Sequence, residues 1–436
     1  MAPTSQPLII NNVSIRLIIA YTYAIIFGGW VMALAHIPNV IALTILRILD
    51  VLPLICFMLL FRLQRTNTFT PNSITYWGGV AALIIVAMLS AIVHQTSIST
   101  TLTHITIMFR YMPLAYFIYK IKNTNKTNNI FITHFRLISI ILLAIGIIEV
   151  IIGEPAITFF TPVIPEKEAD IPEPLNFTPI KSIAGIFPNT IDYAYIIMLS
   201  YIFFININHH TYKYLPRPLL DIIYLFVIFA SGSKAALIIS LIALYINISH
   251  YKFIKPIVIT IFLLIITYLL YTLWDLFYWI VFEDSLHSRL GMMVYTLPSF
   301  LKDCSFSTFF GLTPNRDYVY YVINTYQNVP SMLSSIDAMH AFEDGFYVAL
   351  IIYYGVIGFS ILVSIYYNIY KTLKPLTLSQ HSNINYNNIL RSIFICLIIA
   401  PLFNQIIITR PFAIFMWIIF GLMYKLPKDH ETSTDI

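Results

Sequence analysis

The chain reads as an all-α polytopic membrane protein with about twelve transmembrane helices, and three observations point there. Of its 436 residues, 58% are apolar and only 10% charged, with a mean hydropathy of +0.80. A soluble chain is about one quarter charged, so this one lacks the polar residues to coat a water-facing surface. Its apolar residues fall into runs of about 20, the length a helix needs to cross the hydrocarbon. Lysine and arginine gather in every second gap between those runs, as the positive-inside bias requires. The same composition excludes disorder, a disulfide scaffold and a nucleic-acid binder. Cys56, Cys304 and Cys396 are scattered and form no CxxC motif. The N-terminus, MAPTSQPLII, lacks a basic n-region and a small-residue cleavage site, so the first apolar run is expected to stay as an anchor.

In chain order the expected spans are Ser14–Ala35, Val40–Phe61, Ser73–Val93, Leu102–Tyr119, Ile130–Ile152 and Ile191–Ile207. Pro218–Ala230, Lys234–Ile248, Pro256–Val281, Phe346–Tyr370, Ser392–Thr409 and Pro411–Leu426 follow. Pro218, Pro256 and Pro411 stand at span starts, where a missing N–H costs nothing. The seventh and eighth spans are short halves around Ser231-Gly232-Ser233-Lys234. With the N-terminus inside, the cytoplasmic loops hold Arg62 and Arg65, Lys120 to Lys126, Lys213 and Arg217, Lys252 and Lys255, Lys371 to Arg391, and Lys425 and Lys428. These loops carry most of the 25 basic residues. A single pass around Ser231–Lys234 would flip every later loop, so parity supports two passes and cytoplasmic termini at both ends.

Residues 1–436 then form one integral membrane domain with two long outer segments. Gly153–Thr190 is rich in proline and is expected to be an extended, lid-like stretch. Glu283–Asp344 begins with HSRLGMMVYTLPSFLKD, where Leu290, Val294, Leu297 and Leu301 recur at helical spacing. That pattern predicts an amphipathic helix in the outer interface.

Charges within a span are costly and usually face a cavity or one another. Arg47 and Asp50 lie three apart on the second span, as an i,i+3 ion pair or as ligand-binding groups. Arg110 is mid-way along the fourth span, Glu149 near the outer end of the fifth, and Asp275 near the outer end of the ninth. With Lys234, Arg289 and Arg410, the cations Arg47 and Arg110 concentrate in the outer half, which reads as a cavity for an anion. Arginine suits a phosphate-like anion, because its planar fork donates in pairs and never deprotonates. Tyrosines 318, 320, 321 and 326 form an interfacial aromatic belt or a sugar-stacking platform. The run DAMHAFEDGF brings His340, Glu343 and Asp344 together, as a general base with its neighbours or as weak metal ligands. No P-loop, Rossmann fingerprint or HExxH is present, so neither a nucleotide nor zinc is expected.

Three short motifs extend this reading. SGSKAALI (Ser231–Ile238) is a small-residue turn with a basic residue that opens a short span. HSRLGMMVYTLPSFLKDCSFSTFFGLTP joins Arg289 to a glycine turn at Gly311, and EDGFYVALIIYYGVIGF leads into Gly355 and Gly358. With the many-span layout and one large late outer loop, these resemble the bacterial O-antigen polymerase and O-antigen ligase superfamily. Lys234 stands where that family has arginine. Ligases place His-Asn eleven residues before the first glycine of the third motif; here that position is Asp344, followed by Gly345 and Phe346, as in many polymerases. The resemblance therefore leans to polymerase, over Ser231–Gly358 by motif and elsewhere by topology alone.

The resemblance implies a GT-C-like, metal-independent membrane glycosyltransferase without cofactor, in the bacterial inner membrane, with its site facing the periplasm. It would move a glycan from undecaprenyl pyrophosphate to a hydroxyl of another lipid-linked repeat unit. Its partners would be the lipid-linked donor and acceptor, membrane lipids and a chain-length regulator protein. Arg289, Lys234 and Arg410 are cast as pyrophosphate ligands, and Asp344 or His340 as the base. Arg110, Arg47, Arg316, Glu343 and Tyr320 complete the expected substrate contacts. The rival readings are a ligase that transfers glycan to the lipid A core and a flippase. A flippase usually has two related halves, and here the halves are unequal.

Overall fold

The computed structural model describes residues 6–38, 40–42, 44–51, 71–120, 125–160, 183–187, 189–206, 217–248, 297–302, 305–314, 319, 346–373, 386–400 and 409–423. Every regular element among them is helical. Helix α1 is Gln6–Leu34, α2 covers 40–42 and 44–51, α3 is Pro71–Val93, α4 Ile98–Phe109 and α5 Met112–Lys120. Helices α6 (Asn125–Ile152), α7 (Glu154–Phe160), α8 (Thr190–Ile205), α9 (Arg217–Ala230) and α10 (Lys234–Ile248) follow. The remainder are α11 (Leu297–Lys302), α12 (Phe306–Phe310), α13 (Phe346–Leu373), α14 (Tyr386–Ile399) and α15 (Arg410–Met423).

Three of these contain stretches long and apolar enough to cross a membrane: Ile15–Leu34, Ile130–Ile152 and Phe346–Lys371. Shorter apolar helices include Gly78–Val93, Thr190–Ile205, Pro218–Ala230, Ala235–Asn247 and Arg410–Leu422. Their outward faces are apolar too. On α9, Leu219, Ile222, Phe226 and Phe229 form an exposed stripe, while Tyr224, Val227 and Ile228 on the other side are buried. On α3, Ile85, Leu89 and Ile92 do the same. Water rarely tolerates contiguous apolar faces of this kind, whereas a bilayer matches them. The protein is a helical membrane protein.

Helix α8 is the centre of the bundle. It is apolar on every face, so it is stable only when surrounded, and each residue from Asp192 to Ile205 is buried. Helices α6, α9, α10, α14 and α15 pack around it, with Phe412 of α15 edge-on to Tyr195. A second group is built on α13, against which α3, α11 and α12 pack. Helix α5 packs on α15, where Gly421 lets the helices close on the Ala115 carbonyl.

Several sequence expectations are refined. The fourth expected span, Leu102–Tyr119, is two helices broken at Arg110 and Tyr111. Pro113 explains the break: with no N–H it cannot bond the Phe109 carbonyl, and α5 restarts with Leu114 and Ala115 bonded to Tyr111. The stretch expected to be extended after Gly153 opens instead with α7, which follows a left-handed Gly153 (φ 76°). Helix α14 begins at Tyr386, ahead of the expected Ser392. Helices α9 and α10 are separate, as parity required, meeting at a turn where Gly232 has φ 78° and Ser231 Oγ donates to the Ile228 carbonyl at 2.6 Å. The expected span Pro256–Val281, and the expected interfacial helix apart from α11, lie outside the described residues.

Candidate functional site: two arginines on one carboxylate

The break between α4 and α5 puts Arg110 and Tyr111 on a short turn between the two helices. Asp50 is near the end of the described part of α2, and Arg410 is the first residue of α15. These four residues, far apart in sequence, meet at the Asp50 carboxylate. Arg410 forks onto it, with Nε 3.1 Å from Oδ1 and 3.0 Å from Oδ2, and Nη2 3.0 Å from Oδ2. Arg110 Nη1 donates to Oδ2 at 3.1 Å, and the Tyr111 hydroxyl donates to Oδ1 at 3.2 Å. The Arg110 guanidinium also lies over the Tyr111 ring, 5.1 Å from its centroid. Tyr21 of α1 anchors the backbone beside Asp50 by donating to the Leu49 carbonyl at 2.8 Å.

Two guanidiniums against one carboxylate leave the cluster a net positive charge. The side chains grade from closed to open: 6% exposed at Arg110, 17% at Asp50 and 31% at Arg410. A partly desolvated cationic site, open on the Arg410 side, can bind an oxyanion through planar, paired donors.

Of the expected site residues, Arg110 and Arg410 are brought together. Arg47 is not: it is exposed on α2, and the ion-pair partners of Asp50 among the described residues are Arg110 and Arg410. The i,i+3 pairing of Arg47 with Asp50 is thereby replaced by pairing with the α4–α5 joint and the start of α15. Lys234 is the first residue of α10. Arg289, Arg316, Tyr320, His340, Glu343 and Asp344 lie outside the described residues. Sequence spacing sets Asp50 only beside Arg47, and its place as the hub, with Tyr111 as a donor, was missed. Pro113, three residues after Arg110, is the sequence signal of the helix break at this position.

Glu149 is buried away from the arginines, 1% exposed, and its Oε2 accepts the Gly185 N–H at 2.9 Å. The turn containing Gly185 is further tied down by the Ile183 N–H, which donates to the Ala230 carbonyl at 3.2 Å beside the Ser231–Ser233 turn. The carboxylate satisfies backbone buried between helices, a structural role.

The glycines of the second and third motifs touch. Gly355 (φ 66°, ψ −177°) interrupts α13, so the carbonyls of Ile352 and Tyr353 are left for outside donors. The strap after α12 supplies them: the Leu312 N–H reaches Ile352 at 2.8 Å and the Thr313 N–H reaches Tyr353 at 3.1 Å. A side chain on Gly311 would strike the Tyr353 carbonyl, and one on Gly355 the Phe309 carbonyl. From α3, Ser90 Oγ donates to the Gly311 carbonyl at 2.6 Å, and His94 Nε2 lies 3.1 Å from the same oxygen. Burial pushes the His94 pKa below the ordinary histidine value, so the ring is neutral at pH 7, with its hydrogen on Nε2 facing that carbonyl. Gly355→Ala combines a positive φ with a backbone clash. It is expected to destabilise the protein by at least about 1–3 kcal/mol, read as a lower unfolding midpoint of the detergent-solubilised chain. An unchanged midpoint would mean that the strap does not hold the kink.

Fold and site define a helical membrane protein with a half-open arginine–carboxylate cluster at a broken helix. The chain matches no protein-family model and no curated protein.

Proposed function

We propose that the chain is a polysaccharide polymerase of the O-antigen or capsule type. It transfers a glycan chain from undecaprenyl pyrophosphate to a hydroxyl of another lipid-linked repeat unit. The observation that carries this reading is the meeting of Arg110 and Arg410, two cations singled out from sequence, at one half-open point. In the proposed reaction the acceptor hydroxyl attacks the anomeric carbon. The bond from that carbon to the phosphate oxygen breaks, and the lipid pyrophosphate leaves with the electron pair. Arg110 and Arg410 offset the charge growing on the leaving group. The hydroxyl proton goes to Asp344, with His340 in support. Arg289 and Lys234 enter as further phosphate ligands on the motif resemblance alone. The scissile phosphoester supplies the driving force, so neither a nucleotide nor a metal takes part.

The test is the surface glycan ladder of a strain lacking the gene. Single repeat units on the outer lipid support polymerase. Long chains stranded on the undecaprenyl carrier would make it a ligase, and an unchanged ladder would rule out both.

This reading includes twelve spans, cytoplasmic termini and a large loop facing the periplasm. Reporter fusions at residues 66, 125, 310 and 378 are then expected to read inside, inside, outside and inside. The same side for 125 and 310 would overturn the span count. Chain extension by purified protein is expected to survive EDTA; activity lost to chelator and restored by magnesium or manganese would require a metal-based mechanism.

A further inference from the structure

The Asp50 carboxylate occupies the place where an oxyanion would have to sit. Its two oxygens take the donors of Arg410 Nε and Nη2, Arg110 Nη1 and the Tyr111 hydroxyl, all within 3.2 Å. The same set suits two oxygens of one phosphate group, because a guanidinium fork matches carboxylate and phosphate alike. The carboxylate and a phosphate cannot share these donors at hydrogen-bond distance without placing like charges side by side. We propose that Asp50 is a placeholder: in the free protein its carboxylate holds Arg110 and Arg410 in position, and a diphosphate group displaces it when substrate binds. This inference rests on the reading of the arginine pair as the leaving-group site.

Three features support displacement over a permanent three-residue cluster. The charge balance is the first: one carboxylate leaves the pair of guanidiniums a net positive charge, whereas a diphosphate ester brings two negative charges and cancels it. The second is access, since exposure rises from Arg110 through Asp50 to Arg410. A ligand arriving from the open side meets Arg410 first and the carboxylate next. The third is the pivot. Tyr21 fixes the backbone at Leu49, so the Asp50 side chain can leave by a change of rotamer while α2 stays in place. Until substrate arrives, the carboxylate keeps two like charges together in a partly desolvated site and screens them from smaller anions.

The experiment uses the full chain in nanodiscs, titrated with inorganic pyrophosphate and, separately, with farnesyl diphosphate as a short lipid diphosphate. Asp50→Asn keeps the shape and removes the competing charge. Displacement predicts that both ligands bind it at least about tenfold more tightly than wild type. A gain for pyrophosphate alone assigns the site to a free anion, and a gain for both assigns it to the diphosphate of a lipid. Weaker or unchanged binding by a folded Asp50→Asn overturns the placeholder and makes Asp50 a permanent orienting group. No binding to wild type or Asp50→Asn overturns the anion site itself, and the proposed function with it. If Asp50→Asn does not fold, wild-type protein answers by carboxyl footprinting with a carbodiimide and an amine. Labelling of Asp50 should rise severalfold when pyrophosphate is added; labelling that stays level or falls overturns displacement.

Discussion

Arg410→Lys is expected to slow chain extension about a hundredfold at matched protein level, although the charge is retained. The reason is geometric. Arg410 presents Nε and Nη2 together, both about 3 Å from the Asp50 oxygens, and the same edge can grip two oxygens of a phosphate. A lysine ammonium meets one of them at a time. Arg410 is also the open member of the pair, so its replacement leaves the fold little disturbed. Arg110 makes the contrast. Its side chain is nearly closed off, and removing one partner of a buried ion pair leaves the other uncompensated. Arg110→Met should therefore destabilise the protein by about 3 kcal/mol, visible as a lower unfolding midpoint, before its effect on rate can be read. Polymer length on a gel and unfolding midpoints, measured side by side, separate the two. A wild-type ladder from Arg410→Lys would remove the arginine pair from the mechanism.

Asp344→Asn is expected to abolish chain extension while protein level and membrane insertion persist. Asparagine keeps the size and most hydrogen bonding of aspartate but cannot take the acceptor's proton. His340→Ala should reduce polymer length without eliminating it, because the histidine is assigned a supporting position four residues earlier. The measurement is again the glycan ladder at matched expression. A silent Asp344→Asn paired with an inactive His340→Ala would move the base to the histidine and shift the chain toward the ligase reading.

Much of the helical layout was legible because apolar runs and proline report local physics. The boundaries of α10 and the start of α13 coincide with those expected, and the burial of α8 follows from its lack of any polar face. The break at Arg110 was less visible, since apolar residues continue through Pro113 and hydropathy does not register a missing N–H. The seven-residue α7 was hidden by the prolines around it. For the site, sequence singled out Arg110 because a charge in an apolar run stands out, and Arg410 because it stands between two such runs. It did not reveal their partner. Asp50 lies 60 positions from Arg110 and 360 from Arg410, whereas Arg47, one helical turn away, is the neighbour that spacing favours. Burial decides between them: Arg47 is exposed on α2, while Arg110 is buried and needs an acceptor. The contact between Gly311 and Gly355 was marked only as two motif glycines, since positive φ and close backbone approach leave no trace beyond the residue type.

The strap between Gly311 and Gly355 also bears on biogenesis. Helices leave the ribosome in chain order, and Ser90 is 221 positions ahead of the Gly311 carbonyl it holds. The 26 residues Phe346–Lys371 of α13 are long and apolar enough to cross a bilayer, and in a straight helix Gly355 would cost only about 1 kcal/mol relative to alanine. Bending that helix frees two carbonyls, which stays unfavourable until Leu312 and Thr313 arrive to bond them. The bend is therefore favourable only where α3 stands ready to receive the strap. A nascent chain with a misplaced α3 would keep α13 straight and leave Ser90 and His94 without the carbonyl they hold. Closure of the strap couples the placement of an early helix to the final shape of a late one.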